Sequence, residues 1–408
     1  MGSHFLNRLN WGLLGLSLLT SLPAAAEQRD LGIQLGSGWT LMPEFDAQYL
    51  HDSNIYRQDQ NSTSANATIL KPQLSAQLLS ANDRYTFKYD GEFGFYDSTS
   101  HDNYTDNSIA FKGEVNQTGK NRLELNAGRR EGHDPFGTER TELDRTTQLD
   151  VDEYALSSVD LTYTYGAPSA TLNLSLGGDY TDKHYTNNKT LTSYLDFNRA
   201  GVMGALRFRL SNITSALADV QYHKISFPND VNGFSNRDGD EISTRVGAQW
   251  QPLATLTMRG LVGYFSRASD ASDRSDHNSL DWEGVLNYQP ASYSLFVVEG
   301  SHSTEESYLL LSTFIDRQRV GGSWKQGWTD RLTTSVAGYY NRYRFEGYQR
   351  SDNVYTGSLY VDYDLSGYIG ALRLVTARLS FDIAKRDSDV DGFDFDRNVT
   401  ALRINIAL

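Results

Sequence analysis

The chain has 408 residues, no cysteine and a formal charge of -14 at pH 7. The acidic balance disfavours nucleic acid as a partner, and the missing cysteines exclude a disulfide-stapled secreted scaffold. A mean hydropathy of -0.51 excludes a bundle of apolar membrane helices, but not a membrane β-barrel, which needs an apolar residue only at every second position.

In chain order, the first element is an address. Arg8 precedes an apolar stretch from Trp11 to Leu22, followed by Pro23 and Ala24-Ala25-Ala26. That stretch is shorter than the roughly twenty residues of a spanning helix, and the small residues supply an A-x-A cleavage site. The pattern predicts a signal peptide over 1–26 and a mature chain from Glu27. Residues 27–40 read as a short periplasmic lead, and 41–408 as an outer-membrane β-barrel.

From Leu41 onward, period-2 alternation recurs between turn signals. Tyr85, Phe87, Tyr89, Gly91, Phe93 and Phe95 share one face, with Thr86, Lys88, Asp90, Glu92 and Gly94 on the other. About eighteen such segments follow one another, each of a length that crosses a membrane at a steep tilt. They lie near 41–51, 66–80, 84–96, 107–117, 122–131, 152–165, 169–182, 195–210 and 215–227. The second half runs near 240–251, 254–267, 279–289, 291–303, 313–325, 331–345, 352–364, 370–385 and 395–408. The fourteenth is the weakest, because Asp316, Arg317 and Arg319 leave only Phe314, Val320 and Trp324 in good register.

Short turns such as Ala81-Asn82-Asp83 and Gln251-Pro252-Leu253 alternate with longer polar links, among them 52–65, 132–151, 228–239 and 386–394. This pattern predicts an all-β fold, a transmembrane antiparallel up-and-down β-barrel of about 18 strands with short periplasmic turns and long extracellular loops. An even strand count puts both termini in the periplasm. So many strands exceed one soluble sandwich, and no fixed-length repeat marks a solenoid.

Aromatic residues near segment ends, such as Tyr85 with Phe95, Tyr163 with Tyr165, and Tyr355 with Tyr363, fit a girdle at the membrane boundary. On the other face lie Lys88, Glu92, Lys112, Glu114, Glu124, Arg130, Arg207, Arg209, Arg245, Arg259, Glu283, Tyr360, Asp362, Arg373 and Arg403. On lipid a cation costs roughly 2–4 kcal/mol near the midplane, so these are the pore-lining candidates. A barrel of this width is not filled by its own side chains, so its lumen holds water. Two readings of the charges stay open: a wide polar passage, or ion pairs bracing the wall.

The mature histidines, His51, His101, His133, His184, His223, His277 and His302, fall at outer strand ends or loops and read as solvated. Asp387, Asp389, Asp391 and Asp394 with Gly392 match the first half of a calcium loop, but position 12 is Asn398, so an acidic β-turn competes with bound calcium. No other cofactor is indicated. Hydrolase and phosphate-binding motifs are absent, so the chain is not expected to be an enzyme.

Pro43-Glu44, then Tyr49, then Asp52-Ser53-Asn54-Ile55-Tyr56-Arg57 resemble the opening of the putative beta-barrel porin type 2 family. The chain departs from the usual outer-membrane ending by closing on Leu408 rather than Phe or Trp. The resemblance implies a bacterial outer-membrane pore, associated with exopolysaccharide export and carrying no catalytic residues. The partners it implies are the lipid bilayer and lipopolysaccharide, the barrel-assembly machinery, a polysaccharide substrate and a periplasmic export partner. Two alternatives remain: a general or solute-specific diffusion porin, and a non-conducting adhesion or structural barrel acting through loops 132–151 and 228–239.

Overall fold

The computed structural model describes residues 32–408 apart from 99, 143–149, 230, 232 and 367–373. The signal segment, part of the lead and Arg373 lie outside the described residues. Among the described residues nineteen strands follow one another: β1 (Ile33–Gly36), β2 (Trp39–Asp52), β3 (Ala65–Ser80), β4 (Asp83–Tyr96), β5 (Tyr104–Val115), β6 (Asn121–Asp134) and β7 (Asp152–Tyr165). Next come β8 (Leu172–Tyr185), β9 (Phe197–Arg209), β10 (Thr214–Ser226), β11 (Gly239–Leu253), β12 (Leu256–Ser269) and β13 (His277–Ala291). The last six are β14 (Ser294–Glu306), β15 (Phe314–Gly327), β16 (Leu332–Phe345), β17 (Ser351–Asp364), β18 (Leu374–Ser388) and β19 (Phe395–Ala407).

From β2 to β19 each strand pairs antiparallel with the next, and β19 returns to β2 with Val399 opposite Asp52 and Ala407 opposite Glu44. The result is a closed barrel of 18 strands plus one extra strand, as alternation and loop lengths predict. The eighteen sequence segments map onto β2–β19 in order. The extra strand, β1, folds back on β2 with Ile33 opposite Leu41. Its turn needs Gly38, which has φ 84, and where an added Cβ would lie 2.3 Å from the Leu79 carbonyl oxygen. Both ends of the described chain sit at the short-turn end, where the Leu408 amide donates to the Pro43 carbonyl at 3.3 Å.

Parity sorts the side chains. Ile242, Val246 and Trp250 of β11 and Val262 and Tyr264 of β12 are exposed, whereas Arg245 and Leu261 on the opposite parity are buried. An exposed apolar surface running from strand to strand is the belt that lipid covers. Val246, near the middle of β11 and 62 % exposed, gives a test. Val246→Arg is expected to cost about 2–4 kcal/mol in urea unfolding from bilayers; a neutral result would place that face in water.

The wall is not paired along its whole height. The β13–β14 ladder runs from Ala291–Ser294 up to Glu283–Ser301 and stops there. The β14–β15 ladder continues without a shift to Glu306–Phe314. His302, Thr304 and Glu306 share the parity of the exposed Phe296 and Val298, yet His302 is buried and all three touch the inner face of the neighbouring wall. The long-loop half of the β14–β15 hairpin therefore leaves the wall and tucks inside, its back against the inner face of β11–β13. Glycines line the bend: Gly260, Gly284 and Gly300 pair across β12–β14, and Gly322, Gly338 and Gly357 across β15–β17. A Cβ on Gly300 would meet the Trp282 ring at 2.8 Å, so the strand departs where a side chain has no room.

Candidate functional site

The lumen wall is built from pairs. Lys88 meets Asp90 at 2.7 Å, and Glu92 meets Lys71 at 2.9 Å and the Tyr104 hydroxyl. Lys112 lies 3.3 Å from Glu114 and 3.4 Å from Glu124, and Arg130 lies 3.1 Å from Asp106. Arg245 joins Asp219 at 2.9 Å to Glu283 at 3.0 Å, and Arg259 shares Glu283. The Tyr360 hydroxyl donates to Asp382 at 3.0 Å, Asp362 meets Arg378 at 2.6 Å, and Arg403 forks onto Asp46 across the closing β19–β2 seam. Arg207 and Arg209 sit near the short turns, where both donate to the Pro168 carbonyl. Opposite charges at neighbouring inward positions let the inner wall carry many ions without net repulsion.

The long-loop mouth is crossed twice. The in-turned hairpin is fixed behind by Arg267, 1 % exposed, which bridges Glu241 at 3.0 Å and Glu306 at 2.9 Å. Thr304 donates to the same Glu241, and His302 Nε2 lies 3.0 Å from Asp316. At the tip, Tyr308 and Leu309 pack with Tyr154, Tyr185, Leu195, Ile315 and Phe345, reaching the β7–β8 side of the lumen. The second crossing is the β6–β7 loop. Its Glu142 is buried against Arg350 of the β16–β17 loop at 3.0 Å, Arg386 of β18 and the Tyr308 hydroxyl. Those partners stand nearly opposite β6 and β7 in an 18-strand ring, so the described part of this loop, as far as Glu142, reaches across the bore. Arg350 is sandwiched by the Phe345 and Phe393 rings at 4.5 and 3.9 Å, which holds its guanidinium in place.

Electrostatics of the loops follow from that burial. Desolvation alone would raise the Glu142 carboxyl, but Arg386 and Arg350 hold it below its ordinary value. Glu139, three residues earlier, is not held down in this way. Burial, then Asp134, push it up to about 8 against the opposing pull of Lys183, with Glu305 and Glu142 adding to the rise. Burial also lowers Arg57, whose NH1 donates to the Phe136 carbonyl, to about 9.

The two carboxyls give the seated loop opposite pH dependences. The Glu142 contribution is present above the ordinary carboxylate value and lost as pH falls through its depressed value. The Glu139 contribution is present below the ordinary value and lost as pH rises toward about 8. Release of this loop, read as its proteolysis in the folded barrel, should therefore increase as pH is raised from about 5 to about 8, by up to about tenfold per unit. Glu139→Gln should flatten that profile; an unchanged profile would discount this carboxyl.

A family model described as putative beta-barrel porin 2 matches residues 28–408. The chain belongs to this family. Among solved structures, this porin is similar to the FrpB iron transporter from Neisseria meningitidis, at 9% identity over 92% of this chain and 82% of that one, with TM-score 0.51. It is also similar to OccK2 (OpdF) of Pseudomonas aeruginosa, at 10% identity over 91% and 98% of the two chains, with TM-score 0.50. At such identities the likeness shows the fold alone. No curated protein matches the chain. The porin is thus a bacterial outer-membrane barrel.

Several sequence expectations change in the porin's structure. The histidines are not uniformly solvated: His133 meets Asp106 at 2.7 Å, His223 meets Asp179 at 3.2 Å, and His302 is 1 % exposed between Asp281 and Asp316. The calcium-loop candidates form the β18–β19 connection. There Asp389 accepts the Ser351 amide, Asp394 accepts the Ser388 amide and Asp387 pairs with Lys385. One oxygen each of Asp389 and Asp394 is thus used in turn-building. Among the described residues, the metal-competent group within 4.8 Å is instead His277, Asp316 and Glu346. Sequence reasoning missed Asp46, Asp219, Glu241, Arg267 and Glu306. The first four share the inward parity, but partner choice depends on strand stagger. Glu306 has the opposite parity and turns inward only because the hairpin does.

Proposed function

We propose that this porin is a passive channel for small polar solutes, with its short turns and both termini in the periplasm and its long loops outside. The observation that carries this reading is the double crossing of the mouth by the in-turned hairpin and the Glu142 loop. A bore narrowed there suits diffusion of small molecules past a charged wall. A polysaccharide conduit is the weaker fit, because a polymer would have to displace both crossings along its whole passage.

The test is conductance of the purified barrel in planar bilayers, with liposome swelling by sugars of increasing size. Small single-channel steps and a low size cut-off are expected. Replacing 137–150 by a short Gly-Ser link should raise both severalfold. A folded barrel without conductance, with or without that loop, would sink the channel reading in favour of a structural one.

A further inference from the structure

The seam behind the in-turned hairpin brings together three ligand-type side chains from three elements. His277 belongs to β13, Asp316 to β15 and Glu346 to the β16–β17 loop, and one ligand atom of each lies within 4.8 Å of the others. We propose that this seam binds a divalent transition ion of the Zn2+ class, which clamps the hairpin inside the wall. The site stands independently of the channel reading; only its effect on conduction rests on that reading.

Three observations support it. His277 Nε2 is buried and makes no hydrogen bond. It lies 3.5 Å from Asp316 Oδ2, longer than a good hydrogen bond. That separation resembles the edge of a tetrahedral site, where donors on bonds of about 2.0–2.2 Å stand about 3.4 Å apart. Asp316, 2 % exposed, is oriented by His302 Nε2 at 3.0 Å, as carboxylate ligands are by their outer partners.

Arg344 lies 2.8 Å from Glu346 and 3.8 Å from Asp316, and Arg245 lies 3.9 Å from Asp281. A mixed imidazole and carboxylate set favours zinc-like ions over Ca2+ or Mg2+, which prefer oxygen alone.

The ligands converge only while the hairpin lies inside, so the ion stabilises that state by its preference for it. The experiment adds Zn2+ alone to the folded barrel in micelles, with calorimetric binding and bilayer conductance as readouts. One equivalent is expected to bind. His277→Gln and Asp316→Asn should weaken binding by at least about a hundredfold, and His302→Ala by roughly 10–100-fold; gel migration checks that each variant is folded. Zn2+ should reduce channel opening in the wild-type barrel and not in His277→Gln. No binding, or binding unchanged in both ligand variants, overturns the site; binding without an effect on a conducting channel overturns the clamp. A barrel that binds Zn2+ through these residues yet never conducts overturns the channel reading and leaves the site standing.

Discussion

Arg245→Met will destabilise the barrel by about 3–5 kcal/mol, the usual cost of leaving buried carboxylates without their cation. The guanidinium is 3 % exposed and donates to Asp219 through Nε at 3.0 Å and NH2 at 2.9 Å, while NH1 reaches Glu283 at 3.0 Å. Arg245→Lys keeps the charge but loses the fork, so it should fall between wild type and Met. Pairing Arg245→Met with Asp219→Leu should recover part of the loss, because the second change removes the stranded charge. Urea unfolding in micelles measures all three. A cost below about 1 kcal/mol would show that water reaches this cluster and screens it.

Gly263→Ala should do comparable damage for a different reason. A Cβ there would stand 1.8 Å from the Thr244 carbonyl oxygen, and one at Gly247 would stand 1.9 Å from that of Gly260. Both obstacles are backbone of the adjoining strand, so no rotamer change relieves them. Overpacking of this kind costs about 1–3 kcal/mol or more, and here only movement of the β11–β12 ladder can absorb it. Gly204→Ala is the control, since its nearest neighbour would be a Val220 methyl at 3.6 Å. Folded yield, read from gel migration without heating, should fall for Gly263→Ala and Gly247→Ala and hold for Gly204→Ala.

The strands were legible because lipid and water impose a period of two on any wall between them. The fourteenth segment was faint for a physical reason. In β15 the positions of Phe314 and Asp316 have the outward parity of Val320, but they rest against other protein rather than lipid. A stretch with protein on one side and lumen on the other has no cause to alternate apolar with polar. The inward charges were legible one at a time, as with Arg245 and Glu283. Their partners were not, since a one-residue change of register re-pairs every ion. Glu142 was hidden more deeply: it sits in an acidic loop that reads as solvated, and its arginines are 208 and 244 residues away.

The half-paired seam between β13 and β14 gives the barrel two circumferences. Near the short turns, eighteen strands close a full ring. Toward the long loops the ring overlaps itself, with two strands carried inside the perimeter, and the strand edge at His277–Trp282 has no β14 ladder beside it. Closing a sheet normally abolishes such edges. Here one persists, and sliding the overlap would change the width of the mouth while the ring below kept its size.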